Sequence, residues 1–280
     1  MNNTLHGKPM VWKLINTVLL ALISIIMIAP VLWMVSTSLK FESEVFNFPI
    51  QWIPESVTWD NYQKAFTEFP YLNWYFNTIR NTAIIVFSIL LVSSMAGFAF
   101  AKIQFKGKNL IFIAYIASLM IPGEMRLIPQ FMLYKELGLI NTTWAVVLPW
   151  MLFVAFAIFL MKQAFTAVPD ELIEAAKIDG CGYFKMYAVI TLPLVKSTLV
   201  ALGILSFTWG WNDYTAPLIY IQDIQKQVLT VGIASFKAQY ASNYALQMAG
   251  ATMALVPVIL VYLIAQKYFT EGIAQSGIKG

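Results

Sequence analysis

A cluster of aromatic and polar side chains near position 211 combines groups that bind saccharides. Its members stand within six residues of one another: Trp209, Trp211, Asn212, Asp213 and Tyr214. Aromatic faces pack on the C–H surfaces of sugars, and amides and carboxylates hydrogen-bond their hydroxyl groups. The cluster is therefore a candidate saccharide contact. Two alternatives stay open: Trp and Tyr also form belts at membrane interfaces, and Asp213 could hold two helices together.

A second segment, residues 169–180, has the pattern of a short helix with an acidic surface. Pro169 presets the backbone for a helix start, and Asp170 and Glu171 suit the positive end of the helix dipole. The apolar positions recur at helical spacing: Leu172, Ile173, Ala175, Ala176 and Ile178. Gly180 is placed to end the helix in a left-handed conformation. We predict a helix over 169–178 whose acidic groups, Glu171, Glu174 and Asp179, face a basic partner. An amphipathic helix that only connects two membrane spans is the alternative.

The composition places both segments in an integral membrane protein. Of 280 residues, 59% are hydrophobic and 11% are charged, and the mean hydropathy is +0.69. A soluble domain carries about 25% charged residues, and disordered chains and coiled coils are polar or periodic, so these classes are excluded. A single cysteine, Cys181, rules out an internal disulfide framework. The net charge of +4 requires no nucleic-acid partner, because basic residues beside membrane spans account for it.

Uncharged stretches of about 20 residues predict transmembrane helices. Six spans result, in one membrane domain over residues 1–280: 14–39, 82–101, 109–133, 143–161, 197–221 and 248–266. We predict that the third span is broken at Pro122 and again near Pro129. A broken helix is tolerated in lipid only against protein or beside water, so Met120, Pro122 and Gly123 become candidates for the lining of a pathway. A proline kink in a packed helix is the alternative.

The distribution of Lys and Arg predicts the orientation. With a cytoplasmic N-terminus, the inner segments contain 11 Lys and Arg and the outer segments contain 7, although the outer segments are longer. Positive residues accumulate on the cytoplasmic side. We therefore expect a multi-pass membrane protein with both termini in the cytoplasm, and residues 162–196 as its longest cytoplasmic loop.

Residues 174–193 of that loop resemble the EAA loop of the permease subunits of ABC importers. Glu174-Ala175-Ala176 is followed after three residues by Gly180 and after nine more by Ile190, and Leu192-Pro193 completes the pattern. Five further segments are similar to carbohydrate-uptake permeases, above all to the shorter subunit of maltose-type importers: 52–62, 81–112, 120–142, 208–221 and 268–280.

The resemblance implies a fold, a role and a set of partners. The fold is the type I permease fold of ABC importers, an all-α polytopic membrane protein, and the location is the inner membrane of a bacterial cell. The loop 162–196 forms a coupling helix that docks on a cytoplasmic nucleotide-binding subunit, and its contacts fall on Glu171, Glu174, Ala175, Ala176, Asp179 and Gly180. The partners are a second homologous permease subunit, two copies of the nucleotide-binding subunit, an extracytoplasmic solute-binding protein and membrane lipid. ATP-Mg binds the nucleotide-binding subunit, and this chain, which is not an enzyme, binds no cofactor.

Other functions fit the sequence less well. A secondary transporter needs ionic sites within its spans, whereas Asp213 is the single charge in the inner part of any predicted span, and no clear inverted repeat is seen. A membrane enzyme is disfavoured because Cys181 and His6 are alone of their kinds and no metal-ligand cluster occurs. A permease for a polyol, an oligosaccharide fragment or a sugar phosphate stays open. A phosphate, however, favours basic residues in the pathway, and we expect none within the spans.

Overall fold

The computed structural model describes residues 10–152, 154–239 and 243–276, and within these ranges it contains helices and no strand. The predictions for both termini and for position 153 lie outside the described residues. Contacts within the chain define two compact units. Met1–Phe69 with Ile233–Met253 form unit 1, and Pro70–Gly232 with Ala254–Gly280 form unit 2.

Fourteen α-helices occur in the described ranges. In chain order they are α1 Met10–Ser38, α2 Asp60–Thr67, α3 Tyr71–Lys102, α4 Lys108–Ala117, α5 Gly123–Glu136, α6 Thr143–Leu152, α7 Ala155–Thr166, α8 Asp170–Ile178, α9 Tyr183–Lys185, α10 Leu192–Leu194, α11 Lys196–Trp211, α12 Thr215–Tyr220, α13 Leu229–Gln239 and α14 Tyr244–Ser276. A π-helix, Met186–Thr191, separates α9 from α10.

Length and composition allow between three and six membrane spans in the described residues, and the prediction was six. Three helices can each cross a bilayer alone: Leu14–Ser38, Tyr71–Lys102 and Tyr244–Gln266. Three bent pairs raise the number to six if each pair is one span: α4 with α5 at 99°, α6 with α7 at 40°, and Tyr183–Leu194 with Lys196–Tyr220 at 83°.

The helices differ from the predicted span ranges at three places. The helix that contains the predicted second span begins at Tyr71, before residue 82, and continues through Arg80 and several polar residues. The third span breaks at Pro122 as predicted, but the second break is wrong, since α5 continues through Pro129. The fifth span is not continuous: α11 ends at Trp211 and α12 begins at Thr215.

The core of unit 2 forms where α3 packs against α7 and α11. Buried apolar side chains from four helices share this core: Ile85, Ile89, Phe98, Ala157, Ile158, Met161, Phe165, Ile173, Ala176 and Leu202. Gly97 makes the closest approach, because a Cβ atom there would lie 2.7 Å from Met161 Cβ and 2.9 Å from the backbone nitrogen of Lys162. Glycine therefore lets α3 and α7 pack with their backbones almost in contact.

Unit 1 is held together by polar contacts around the end of α1. Asn61 Nδ2 donates to the carbonyl oxygens of Ser38 and Lys40 at 3.0 and 2.8 Å. Lys40 is fully buried; its ammonium lies 4.2 Å from the centre of the Trp33 ring and hydrogen-bonds the carbonyl oxygen of Gln51. The segment after α1 is thus fixed to that helix by satisfied polar groups rather than by an apolar core alone.

Candidate functional site

The break in the fifth span contains three residues of the predicted aromatic and polar cluster. Asn212, Asp213 and Tyr214 lie between α11 and α12. Asp213 Oδ2 accepts a hydrogen bond from Trp150 Nε1 at 3.0 Å, and its carbonyl oxygen accepts one from Thr230 Oγ1 at 2.6 Å. Asp213 therefore connects the break to α6 and α13, as expected if this residue holds helices together. Its carboxylate also lines a cavity.

That cavity has a volume of about 320 Å³, and both apolar and polar groups line it. Charged and amide groups from α5 meet the break of the fifth span in it. The residues with hydrogen-bonding side chains in its wall are Glu124, Arg126, Gln130, Trp150, Asp213, Thr215 and Tyr220. We name this space the Asp213 cavity.

Asp213 is not the single charge in the inner part of a span, and the expectation that the spans contain no basic residue is also wrong. Glu124 and Arg126 lie in the bent third span and line the Asp213 cavity. The pattern that reveals them is helical: Gly123, Arg126, Leu127 and Gln130 recur at the i, i+3, i+4, i+7 spacing of one helix face. The prediction missed this face because it judged the third span by its apolar residues alone.

The two tryptophans of the cluster have different surroundings. Trp209 stacks on Trp150, with ring centroids 6.0 Å apart and planes at 15°. Trp211 is buried and packs on Phe207, and its Nε1 donates to the carbonyl oxygen of Ala254 at 3.2 Å. Trp211 therefore stabilises helix packing and is not part of the Asp213 cavity.

The remaining predicted pathway residues also differ in whether they line the Asp213 cavity. Asn212 is exposed and its side chain donates back to the carbonyl oxygen of Thr208 at 2.9 Å. Tyr214 is exposed, as are Met120 and Pro122 at the break of the third span. Gly123 does line the Asp213 cavity. Of the eight predicted pathway residues, the structure thus brings Asp213 and Gly123 together.

The predicted cytoplasmic helix is present as α8, and its two faces differ. Ile173 and Ala176 are buried against the core of unit 2. Exposed side chains cover the opposite face: Glu171, Glu174, Ala175, Ile178 and Asp179. The two alanines of the motif therefore have separate environments, because Ala176 contacts this chain and Ala175 faces outward.

The start of α8 is fixed to the end of α3. Lys102 Nζ donates to Asp170 Oδ1 at 2.6 Å and to the carbonyl oxygen of Val168 at 2.5 Å. The Lys102 side chain is 4% exposed, whereas that of Asp170 is 79% exposed. The hydrogen bond from Lys102 and its positive charge hold the pKa of Asp170 below its usual range.

The end of α8 has the hydrogen bonds of a Schellman motif. The N–H of Cys181 donates to the carbonyl oxygen of Ala176 at 2.9 Å, and the N–H of Gly180 donates to that of Lys177 at 3.0 Å. Gly180 has φ +73°, and a Cβ atom there would meet no atom within 4 Å. Glycine is required here for backbone conformation and not for space, so the chain turns sharply away from α8.

The segment after the turn is joined to α3 a second time. Tyr187, in the π-helix, is buried, and its hydroxyl lies 2.7 Å from Ser94 Oγ. Its ring also packs on Phe98 and Phe165. Both ends of the α8 region are therefore attached to the membrane helices of unit 2. No group of three metal-ligating side chains occurs within the described ranges.

Comparison with known proteins identifies close relatives along nearly the whole chain. The chain is 35% identical over 267 residues to the arabinooligosaccharides transport system permease protein AraQ of Halalkalibacterium halodurans, covering 94% of this chain and 95% of that protein. It is 31% identical over 257 residues to the lactose transport system permease protein LacG of Rhizobium radiobacter, covering 92% and 93%.

A solved structure supports the fold independently. A chain of a bacterial ABC transporter involved in the import of the acidic polysaccharide alginate superposes with a TM-score of 0.80 at 23% identity, over 92% of this chain and 96% of that one. The predicted type I permease fold is therefore confirmed. The family model described as "binding-protein-dependent transport system inner membrane component" matches residues 71–275. The chain belongs to this family of ABC-transporter permeases, as its resemblance to importer permeases predicts.

Proposed function

We propose that this chain is a transmembrane permease subunit of an ATP-driven, binding-protein-dependent carbohydrate importer. It forms half of the translocation pathway beside a second, homologous permease subunit. An extracytoplasmic solute-binding protein delivers the cargo, and two copies of a cytoplasmic nucleotide-binding subunit bind ATP-Mg and hydrolyse it. Both termini of this chain are cytoplasmic.

The observation that carries this proposal is the construction of the α8 region. One face of α8 is buried in this chain, both ends are fixed to α3 or to a tight turn, and an acidic face is left exposed. A helix attached in this way moves together with the membrane helices that support it. It is therefore suited to transmit force from a separate ATPase subunit, with Glu174 making a charge-assisted hydrogen bond to a basic residue there.

Two observations support a saccharide as the cargo. The relatives that match along nearly their whole lengths carry arabinooligosaccharide and lactose transport in their names. The Asp213 cavity offers carboxylate, guanidinium, amide and hydroxyl groups beside an indole ring, which suits the many hydroxyl groups of a sugar. An importer with the same construction for a polyol, a sugar phosphate or an oligosaccharide fragment is the nearest alternative, and Arg126 is a cation that a phosphate cargo would use.

An ion-coupled secondary transporter is the alternative of a different class. Glu124, Arg126 and Asp213 give the Asp213 cavity three ionisable groups, which such a transporter requires. The two mechanisms differ in their energy source. Sugar uptake by this chain alone in liposomes, driven by an ion or sugar gradient without ATP, would contradict the importer proposal.

The decisive experiment tests the acidic face of α8. We expect Glu174→Lys to leave the chain inserted in the membrane but to reduce co-purification of the nucleotide-binding subunit and the stimulation of its ATPase by the loaded binding protein. Glu136→Lys is the control, because it makes the same charge change at an exposed residue at the end of α5. Normal stoichiometry and normal stimulation in Glu174→Lys would refute the docking role of α8.

A further inference from the structure

A second polar cavity, of about 240 Å³, lies where α3, the start of α6 and the segment after α12 meet. Seven of the eight residues in its wall are polar, and none is acidic. The side chains used below are Asn77, Arg80, Asn81, Asn141, Thr143 and Lys226. Arg80 and Lys226 give this cavity two positive charges. We name it the Arg80 cavity.

Neither positive charge has a carboxylate partner in the part of the chain that the structure describes, where the ion pair found is Lys102–Asp170. Arg80 Nη2 donates to Thr143 Oγ1 at 2.5 Å and to Asn81 Oδ1 at 3.4 Å. Arg80 Nε is buried without an acceptor. Lys226 Nζ donates to the carbonyl oxygen of Asn141 at 3.3 Å. Arg80 is half-buried and Lys226 is exposed, so the group of the cavity that still requires an acceptor is the buried Arg80 Nε.

Asn81 provides a second unmet donor. The residue is buried, with 4% of its surface exposed. Its Oδ1 accepts the bond from Arg80, and its Nδ2 has no acceptor among the described residues. Arg80 Nε and Asn81 Nδ2 are thus two donors in the wall of one cavity; Arg80 Nε is buried and requires a hydrogen-bond acceptor, and Asn81 Nδ2 is available to a ligand.

The walls are fixed in position before anything binds. Asn77 Nδ2 donates to the carbonyl oxygens of Gln225 and Gln227, each at 3.0 Å. Asn141 has φ +63°, and its Oδ1 accepts from the backbone N–H groups of Gln222 and Asp223 at 3.2 and 3.0 Å. Because these bonds hold the segment after α12 against α3, the donors are preorganised for a ligand.

We propose that the Arg80 cavity binds a saccharide unit that carries a carboxylate group. The two cations and the free amide donor suit the carboxylate, and the amide and hydroxyl groups around them suit ring hydroxyls. The volume suits one sugar ring rather than an oligosaccharide. Ile221 lines the Arg80 cavity, and the residue before it, Tyr220, lines the Asp213 cavity. The two cavities are therefore neighbours along the chain. The site rests on the proposed function and adds a substrate class to it: uronate-containing saccharides.

The test compares two sugars that differ in one group. D-Galacturonate carries a carboxylate where D-galactose carries a hydroxymethyl group, and the rest of the ring is the same. The complete importer complex is placed in nanodiscs of zwitterionic lipid without the binding protein, and its Tm is measured against the concentration of each sugar. We expect galacturonate to raise the Tm in a concentration-dependent way, and galactose to have a much smaller effect.

Three variants locate the effect. Arg80→Gln removes one charge and should abolish the shift. Asn81→Asp is nearly isosteric and supplies a carboxylate beside Arg80, so it should keep the fold and also abolish the shift. Lys135→Gln is the matched control, because it removes a charge from an exposed residue of α5 that lies outside the cavity wall, and it should retain the full shift.

The result that overturns the proposal is an equal response to both sugars, or a galacturonate response that survives Arg80→Gln and Asn81→Asp. Stabilisation that depends on Arg80 but appears only with anionic lipid or with the binding protein also overturns it, because the acceptor is then a head group or a protein side chain. A complex that imports a neutral saccharide with ATP and yet shows no galacturonate response refutes this site alone and leaves the proposed function intact.

Discussion

Lys102 Nζ lies 2.6 Å from Asp170 Oδ1 and thereby joins the last residue of α3 to the first residue of α8. The same ammonium group bonds the carbonyl oxygen of Val168, two residues before α8 begins. One buried cation therefore orients both the entry of the chain into α8 and the first turn of that helix. We expect a motion of α3 to reach the exposed acidic face of α8 through this contact.

The Lys102–Asp170 pair should contribute to coupling. We expect Lys102→Asp and Asp170→Lys each to lower the stimulation of ATPase activity by the binding protein, because each places like charges at the start of α8. The double variant Lys102→Asp/Asp170→Lys reverses the pair and should recover a large part of the stimulation. If the stimulation in the double variant is as low as in the weaker single variant, the Lys102–Asp170 pair does not couple α3 to α8.

The same pair predicts a pH dependence for the start of α8. The pKa of Asp170 is lowered in the folded protein, mainly by the Lys102 hydrogen bond, so the carboxylate stabilises α8 at every pH above its usual range of about 3.9. This contribution is lost as the pH falls through the lowered pKa. Hydrogen exchange of residues 170–178, corrected for intrinsic rates, should be constant from pH 8 to 5. In Lys102→Gln, protection should begin to fall at a higher pH than in the parent.

Gly180→Val tests the turn after α8. A left-handed backbone costs a non-glycine residue roughly 1–2 kcal/mol, and the space around Gly180 is open, so the effect is conformational. Gly182→Val is the control: Gly182 also has open space around it, but its φ is −72°. We expect Gly180→Val to reduce co-purification of the nucleotide-binding subunit and Gly182→Val to have little effect. Equal losses in both would point to added bulk rather than to the turn.

Gly97→Ala tests the close packing of α3 on α7. The added methyl group would lie 2.7 Å from Met161 Cβ, and overpacking of this kind costs about 1–3 kcal/mol. Gly203→Ala makes the same change where the nearest atom, Leu90 Cδ1, is 3.6 Å away. A Tm measurement on the purified complex should show a clear decrease for Gly97→Ala only. A similar Tm for both variants would contradict the packing at Gly97.

Substitutions of Trp211 and Asp213 should have different effects, on assembly and on transport respectively, although the two residues are close in sequence. Trp211→Ala removes a buried ring that packs on Phe207, which costs about 3–5 kcal/mol in a core, so we expect a low yield of assembled complex. Asp213→Asn keeps an acceptor for Trp150 and should assemble normally, but with a changed transport rate or sugar preference. An Asp213→Asn complex that transports every tested sugar like the parent would remove the Asp213 cavity from the pathway.

Patterns within one helix could be predicted from the sequence, and contacts between helices could not. The α8 helix and its glycine turn follow from Pro169 and Gly180, because capping depends on neighbours in the chain. The break at Pro122 was predicted, whereas Pro129 was wrongly expected to break α5. The place of Trp211 could not be predicted, since its type suits both a sugar site and a core. The Asp213 and Arg80 cavities each depend on the meeting of segments that are far apart in sequence, which no local pattern records.

The 99° bend between α4 and α5 has a consequence for the electrical insulation of the bilayer. Lys108–Met120 and Gly123–Glu136 are each about 20 Å long at 1.5 Å per residue, whereas the hydrocarbon core is about 30 Å thick. The Ile121 N–H bonds the carbonyl oxygen of Ser118, and the Pro122 carbonyl oxygen accepts from the N–H of Met125. Because neither helix crosses the hydrocarbon core and the two diverge, the carbonyl oxygen of Ile121 must be met by protein or by water. Where water reaches it, the transmembrane voltage falls over a shorter distance, so the local field near Glu124 and Arg126 exceeds that of an intact bilayer.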